Sequence, residues 1–247
     1  MAKKDKKKKD EKYWIGIDLG GTKLLTALLT RRFKVVSTFK TKVEVSKGVK
    51  NFLETAEESI LEVLKESEVY LKEVGGIGIG APGIIDMKAG RVHYSPNIPF
   101  LKEFPLVREL KKLTGKPVVL GNDVNVGLYG EHSFGSARGY SHVIGIFLGT
   151  GVGGGLILDG KIYEGSMGAA GEVGHMIMEP GGNLCGCGQR GCLESITGRL
   201  AIAGESSILA ARQQAKHLYK EVGTEVLKMK SGVLAKAIQN GDKVLEK

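Results

Sequence analysis

Cys185, Cys187 and Cys192 fall within eight residues of one another, and the sequence holds no other cysteine. An odd, tightly spaced set is a poor disulfide framework and a good metal cluster. His175, in Glu172-Val173-Gly174-His175, completes a Cys₃His set of the kind that closes around a structural zinc ion. Gly186, Gly188 and Gly191 let the chain wrap tightly around a small cation. The alternative is three buried, unligated thiols. Four protein ligands leave no open position for catalysis, so the zinc is expected to fix the loop. Glu172 and Glu194 would then project into a polar site, where carboxylates accept hydrogen bonds from sugar hydroxyls.

Two glycine-rich turns form the next constellation. The first is Asp18-Leu19-Gly20-Gly21-Thr22-Lys23, and the second runs from Gly149-Thr150-Gly151 through Gly153 to Gly155. Backbone N–H groups without side chains in the way can surround phosphate oxygens, and Thr22 and Thr150 add hydroxyl donors. Either turn alone could simply reverse a strand. Together, with the Asp18 carboxylate placed to hold Mg²⁺ directly or through water, they point to a nucleoside triphosphate.

Gly121-Asn122-Asp123 stands where a strand is expected to end, a usual ligand position in α/β folds. Phosphoryl transfer to an alcohol needs a group that takes the hydroxyl proton, and Asp123 is the candidate general base. The local sequence alone reads better as a helix N-cap. The surrounding motifs, which require an acceptor site, favour the base.

The elements that must position these residues are legible from periodicity. Strands are expected at 13–19, 24–29 and 34–43, then an amphipathic helix over 49–71. A buried strand follows at 75–81, a helix at 104–113 and a strand at 117–120. The second half repeats the rhythm: a helix over 124–134, a strand at 143–148, a glycine turn over 149–155, a return strand at 156–158 and mostly helix from 197. This predicts an α/β chain with a Lys-rich disordered tail over 1–12. A small domain over 13–121 carries the first phosphate hairpin. A larger one over 122–247 carries the second hairpin and the zinc loop.

Composition narrows the classes. The 247 residues are 42% hydrophobic and 26% charged, with 37 glycines and a net charge of +9. Residues 1–12 hold seven lysines against three acids and nothing to bury, so part of the charge belongs to a solvated tail; polyanion binding is the competing reading. Too few residues precede the first strand for a helix-turn-helix, so no nucleic-acid partner is expected. No apolar run of about 18 residues predicts a membrane span. The N-terminal lysines lead into no apolar export segment, so a reducing cytoplasm is expected.

Taken together these motifs resemble the ROK family (repressor, open reading frame, kinase), and within it the bacterial glucokinases. The resemblance rests on Asp18 to Lys23, Ala81-Pro82-Gly83, Pro96-Asn97-Ile98-Pro99, Asn122-Asp123, Leu148 to Gly155, the ExGH motif at Glu172 to His175 and the CxCGxxGCxE motif at Cys185 to Glu194. It implies an actin-like, ribonuclease H-like two-domain sugar-kinase fold and ATP-dependent phosphorylation of a hexose, with glucose to glucose 6-phosphate foremost. Asp123 is then the base, and Gly83, Asn97, Asn122, Glu172, His175 and Glu194 are the sugar ligands, His175 also binding zinc. Asp18, Gly20, Gly21, Thr22, Gly149, Thr150, Gly151 and Gly153 serve ATP and Mg²⁺; Lys23 has no assigned role. A homodimer or homotetramer is implied. Two departures are visible. Phe100-Leu101 replaces the Gly-Trp that often follows Asn-x-Pro in family glucokinases, and the C-terminal part of the second domain is expected to be missing. A non-catalytic sugar-binding regulator or a kinase fragment are the alternatives.

Overall fold

The computed structural model describes residues 12–166 and 168–246. Residues 1–11 of the predicted tail lie outside them. The chain divides into two compact units: a first up to Ser141, joined by Glu164–Ala169, and a second made of His142–Tyr163 and Ala170 onward.

The first unit opens with β1 (Tyr13–Leu19), β2 (Lys23–Thr30) and β3 (Val35–Lys42), an antiparallel meander whose final β1–β2 pair is Leu19 with Leu24. Alternation sets the faces: Ile15, Ile17 and Leu19 on β1 and Leu24, Thr26 and Leu28 on β2 are buried. Over that face lies α1 (Gly48–Glu66), which buries Phe52, Ala56, Ile60, Val63 and Leu64. Thr26 is tolerated in this apolar layer because its hydroxyl bonds that of Ser59 on α1 at 2.8 Å.

The expected helix over 49–71 stops early. Glu68 adopts φ 53°, and Val69 N–H reaches back to Leu64 O at 2.9 Å, a left-handed stop made here without glycine. β4 (Val74–Ala81) then runs parallel to β1 and is almost wholly buried, as a strand inside a sheet must be.

A small hairpin absent from the sequence reading, β5 (Ile84–Asp86) with β6 (Arg91–Tyr94), leads to α2 (Leu106–Thr114) and β7 (Val118–Asn122). The sheet order is β3-β2-β1-β4-β7. α3 (Asp123–Phe134) begins directly where β7 ends and belongs to this first unit. The expected boundary at 121/122 thus falls inside a strand–helix junction, and the units part at Ser141 and His142.

The second unit repeats the opening hairpin. β8 (Val143–Leu148), β9 (Val152–Leu158) and β10 (Lys161–Ile162) form an antiparallel sheet in the order β10-β9-β8. The glycine turn is shorter than expected, and the return strand longer. Only 149–151 lie between the strands, while Gly153, Gly154 and Gly155 pair with Phe147, Ile146 and Gly145. Glycine within β9 serves packing, since a Cβ on Gly154 would overlap Gly171 O.

The helices are α4 (Glu194–Thr197), α5 (Arg199–Ala211), α6 (Lys216–Val222) and α7 (Ser231–Gln239). Ala203, Ala210, Leu218, Met229, Leu234 and Ala237 make their core.

Asp242 is 95% buried, and its two oxygens accept from His217 N–H at 3.2 Å and Leu218 N–H at 2.8 Å, holding the start of α6. Removing the ionic acceptor leaves the buried Leu218 N–H unpaired and strips the part-buried His217 N–H of its partner. Asp242→Ala should therefore destabilise the second unit by about 2 kcal/mol. Urea unfolding would show it as a lower midpoint at unchanged slope, and Asp242→Asn should restore part of the loss.

Candidate functional site

In the first unit the strand ends converge. Gly20 N–H donates to Lys23 O at 2.8 Å, closing the first glycine turn, and Asp18 and Thr22 are exposed beside it. Gly21 faces Asn97 closely enough that a Cβ on Gly21 would stand 3.0 Å from that of Asn97. Two residues 76 positions apart in sequence are therefore neighbours.

Gly83 follows β4 with φ 103°, and any side chain there would overlap Tyr94 O. Its carbonyl accepts from Asn122 Nδ2 at 3.1 Å. The same Asn122 uses Oδ1 to accept from Asn125 N–H at 3.1 Å, which makes it the N-cap of α3. Asn122 therefore supplies the helix cap, and Asp123, the candidate base, stands one position on, in the first turn of α3. Asp123 Oδ1 accepts from Val124 N–H at 3.0 Å. A helix N-terminus favours a carboxylate at this place.

In the second unit, Gly149 N–H donates to Gly151 O at 2.9 Å across the second turn. Glu194, expected to face sugar hydroxyls, lies against this turn. Its Oε2 accepts from Val152 N–H at 2.9 Å, and a Cβ on Gly151 would meet this carboxylate and have to displace it. Glu194 Oε1 accepts from the Cys185 thiol at 3.6 Å, so one carboxylate ties the cysteine loop to the glycine turn.

His175, Cys185, Cys187 and Cys192 come together, with their donor atoms all within 4.8 Å of one another. Cys187 and Cys192 Sγ are 3.7 Å apart, and Cys185 Sγ is 3.6 Å from His175 Nδ1. Four ligands at Zn–S distances of about 2.3 Å in a tetrahedron require S–S edges of about 3.8 Å, so the cluster fits that ion. The other ring nitrogen, His175 Nε2, stands 3.9 Å from a Glu172 carboxylate oxygen, on the same side but beyond direct hydrogen-bond distance. Burial pushes the Cys185 thiol up to about 12 and raises Cys192, while the Gln189 backbone N–H lowers Cys187.

The first glycine turn is where the sequence placed it; of the second only 149–151 form the turn, and Gly153, expected to serve the nucleotide, stands in β9 with Gly154 and Gly155. One side chain at the second turn had no signal in the motifs. Arg199, at the start of α5, donates from Nη2 to Thr150 Oγ1 at 3.0 Å. A separation of 49 positions puts that contact out of reach of local pattern.

This arrangement of paired glycine hairpins, Asn-Asp junction and Cys–His loop defines a class, and sequence comparison agrees. The ROK family model matches residues 14–244, and the chain belongs to the ROK family. Its fold is that of the actin-like ROK sugar kinases. It is 40% identical over 188 residues to a glucokinase of Thermotoga maritima, covering 76% of this chain and 58% of that protein. A putative xylose repressor of Caldicellulosiruptor is 32% identical over 188 residues, covering 76% of this chain and 47% of the repressor. The crystal structure of a ROK glucokinase from Streptomyces griseus in complex with glucose and AMPPNP superposes with a TM-score of 0.79 at 31% identity, over 94% of this chain and 73% of that one. The chain thus spans less than two thirds of the length of these curated relatives. No helix among the described residues is long and apolar enough to cross a membrane.

Proposed function

We propose that this chain catalyses ATP-dependent phosphorylation of a hexose, with glucose to glucose 6-phosphate as the first candidate. The observation that carries the reading is the β7–α3 junction. There Asn122 is anchored at both ends of its amide and Asp123 is held at the helix N-terminus. In this reading the sugar hydroxyl attacks the γ-phosphorus, its proton passes to Asp123, and ADP leaves. Gly83, Asn97, Asn122, Glu172, His175 and Glu194 orient the sugar. Gly20, Gly21, Gly149 and Gly151 line the phosphates: the N–H groups of Gly21 and Gly151, with the Thr22 and Thr150 hydroxyls, bind phosphate oxygens, while those of Gly20 and Gly149 close the two turns. Mg²⁺ accompanying the nucleotide would neutralise charge during transfer, and Asp18 is the carboxylate that would hold it, directly or through water.

Zinc, held by His175, Cys185, Cys187 and Cys192, would supply rigidity and no chemistry, because its four positions are filled. With His175 Nδ1 turned toward the thiols, Nε2 stays on the side of Glu172 and is the nitrogen assigned to the sugar. Three free thiols suit a reducing cytoplasm, and we assign a homodimer or homotetramer on the family resemblance.

The relationship to a repressor favours one second reading, a sugar-binding regulator that does not catalyse. ADP release measured with a panel of glucose, N-acetylated hexosamines, fructose and allose separates the two. The kinase reading expects turnover with at least one of these sugars. Sugar binding with no ADP from any of them would establish the regulator instead.

A further inference from the structure

Arg199 is the first residue of α5, and it grips the second glycine turn by main chain and side chain together. Its own N–H donates to Gly149 O at 3.2 Å, and Leu200 N–H to Thr150 O at 3.3 Å. Its Nη2 donates to Thr150 Oγ1 at 3.0 Å. The guanidinium cannot accept, so the hydroxyl oxygen is the acceptor and the single proton of Thr150 is left to donate elsewhere. The geometry therefore presents Thr150 as a donor, with a cation beside it.

A guanidinium has five N–H donors in a rigid fork, and the bond to Thr150 uses one. No ion pair among the described residues takes up the charge of Arg199. The residue is partly buried, and its contact with Thr150 lies at the surface, where a ligand from solution can reach it. A planar, permanently charged fork beside backbone N–H groups and a hydroxyl donor matches a chain of phosphate oxygens. A carboxylate would meet the same fork but would leave the turn's other donors without partners.

We propose that Arg199 is a phosphate-binding residue for the nucleotide, contacting its phosphate chain alongside Gly149, Thr150 and Gly151. The assignment rests on the kinase reading of this turn. It gives the phosphoryl donor a positively charged contact at the second glycine turn, whose residues 149–155 carry no charge of their own.

The test uses the full chain and three proteins: wild type, Arg199→Lys and Arg199→Ala. Calorimetric titrations with ATP, with inorganic tripolyphosphate and with glucose are compared. Loss of a charge-assisted contact should weaken ATP and tripolyphosphate by about tenfold or more in Arg199→Ala, with Arg199→Lys recovering part of it and glucose affinity unchanged. Equal ATP and tripolyphosphate affinities in wild type and Arg199→Ala would overturn the assignment. So would an equal loss of glucose binding that lysine does not relieve, because that marks a collapsed turn. Wild type that binds neither anion overturns it as well. ADP release distinguishes the underlying reading: Arg199-dependent anion binding without turnover on any hexose would sink the kinase and leave the phosphate contact standing.

Discussion

Replacing Asp123 by alanine is expected to lower kcat for hexose phosphorylation by about 10³-fold or more while leaving sugar affinity within a few-fold of wild type. The expectation follows from where the residue sits. Asn122, immediately before it, carries both the cap of α3 and the bond to Gly83, so the junction keeps its shape when the next side chain is cut back. What disappears is a carboxylate able to take a proton from the attacking hydroxyl, an interaction that matters most in the transition state. Asp123→Asn is the sharper control, since it keeps the shape and the acceptor toward Val124 N–H while losing the negative charge and the basicity. Steady-state kinetics with sugar titration reads both quantities. Near-normal turnover in either variant would remove Asp123 from the chemistry, whereas equal damage to sugar binding would make it a binding residue.

The second large effect is expected from metal removal. Metal analysis should find about one zinc per chain, and a strong chelator should lower the thermal stability of the second unit. It should also weaken sugar binding, because Glu172 approaches His175 and Glu194 approaches Cys185. Cys192→Ser should behave like chelated protein even with zinc present, since Cys192 is a fully buried member of the ligand set.

The thiol environment gives this prediction a pH dependence. Zinc binds thiolates, so each ligand that is protonated in the metal-free protein must release its proton on binding. Burial holds Cys185 at about 12 and raises Cys192, so both remain protonated without metal around neutral pH. At least these two protons then compete with the ion, and apparent zinc affinity should fall about 100-fold or more for each unit that the pH is lowered. Competition against a chromophoric chelator across neutral pH measures the slope. A slope near zero, or a metal-free protein with unchanged sugar affinity and melting temperature, would remove zinc from the design.

Much of the fold was readable because it is written locally. The β1 to β3 meander follows from alternation and tight turns, and α1 from apolar residues at helical spacing. The three cysteines and the histidine lie within 18 residues of one another, so a short loop can gather them whatever the rest of the chain does. Where the reading missed, a local rule was overridden. α1 stops early because Glu68 takes a left-handed conformation that its side chain does not advertise. The glycines from 153 to 155 looked like a turn, yet they lie in β9, where Gly154 makes room for the Gly171 carbonyl.

The glycine hairpins with which the chemistry began were therefore set by the sequence in kind, together with the zinc-type ligand set and the Asn-Asp junction. Each depends on residue types at short separations, which chain stiffness and turn chemistry fix before the fold is complete. Tertiary structure alone decided how they are held. Asn122 bonds Gly83 across 39 residues, Glu194 reaches Val152 across 42, and Arg199 meets Thr150 across 49. Contacts of that span form only when packed strands and helices bring distant segments together, since the hydrophobic pattern that drives the packing is blind to which polar groups it will make neighbours.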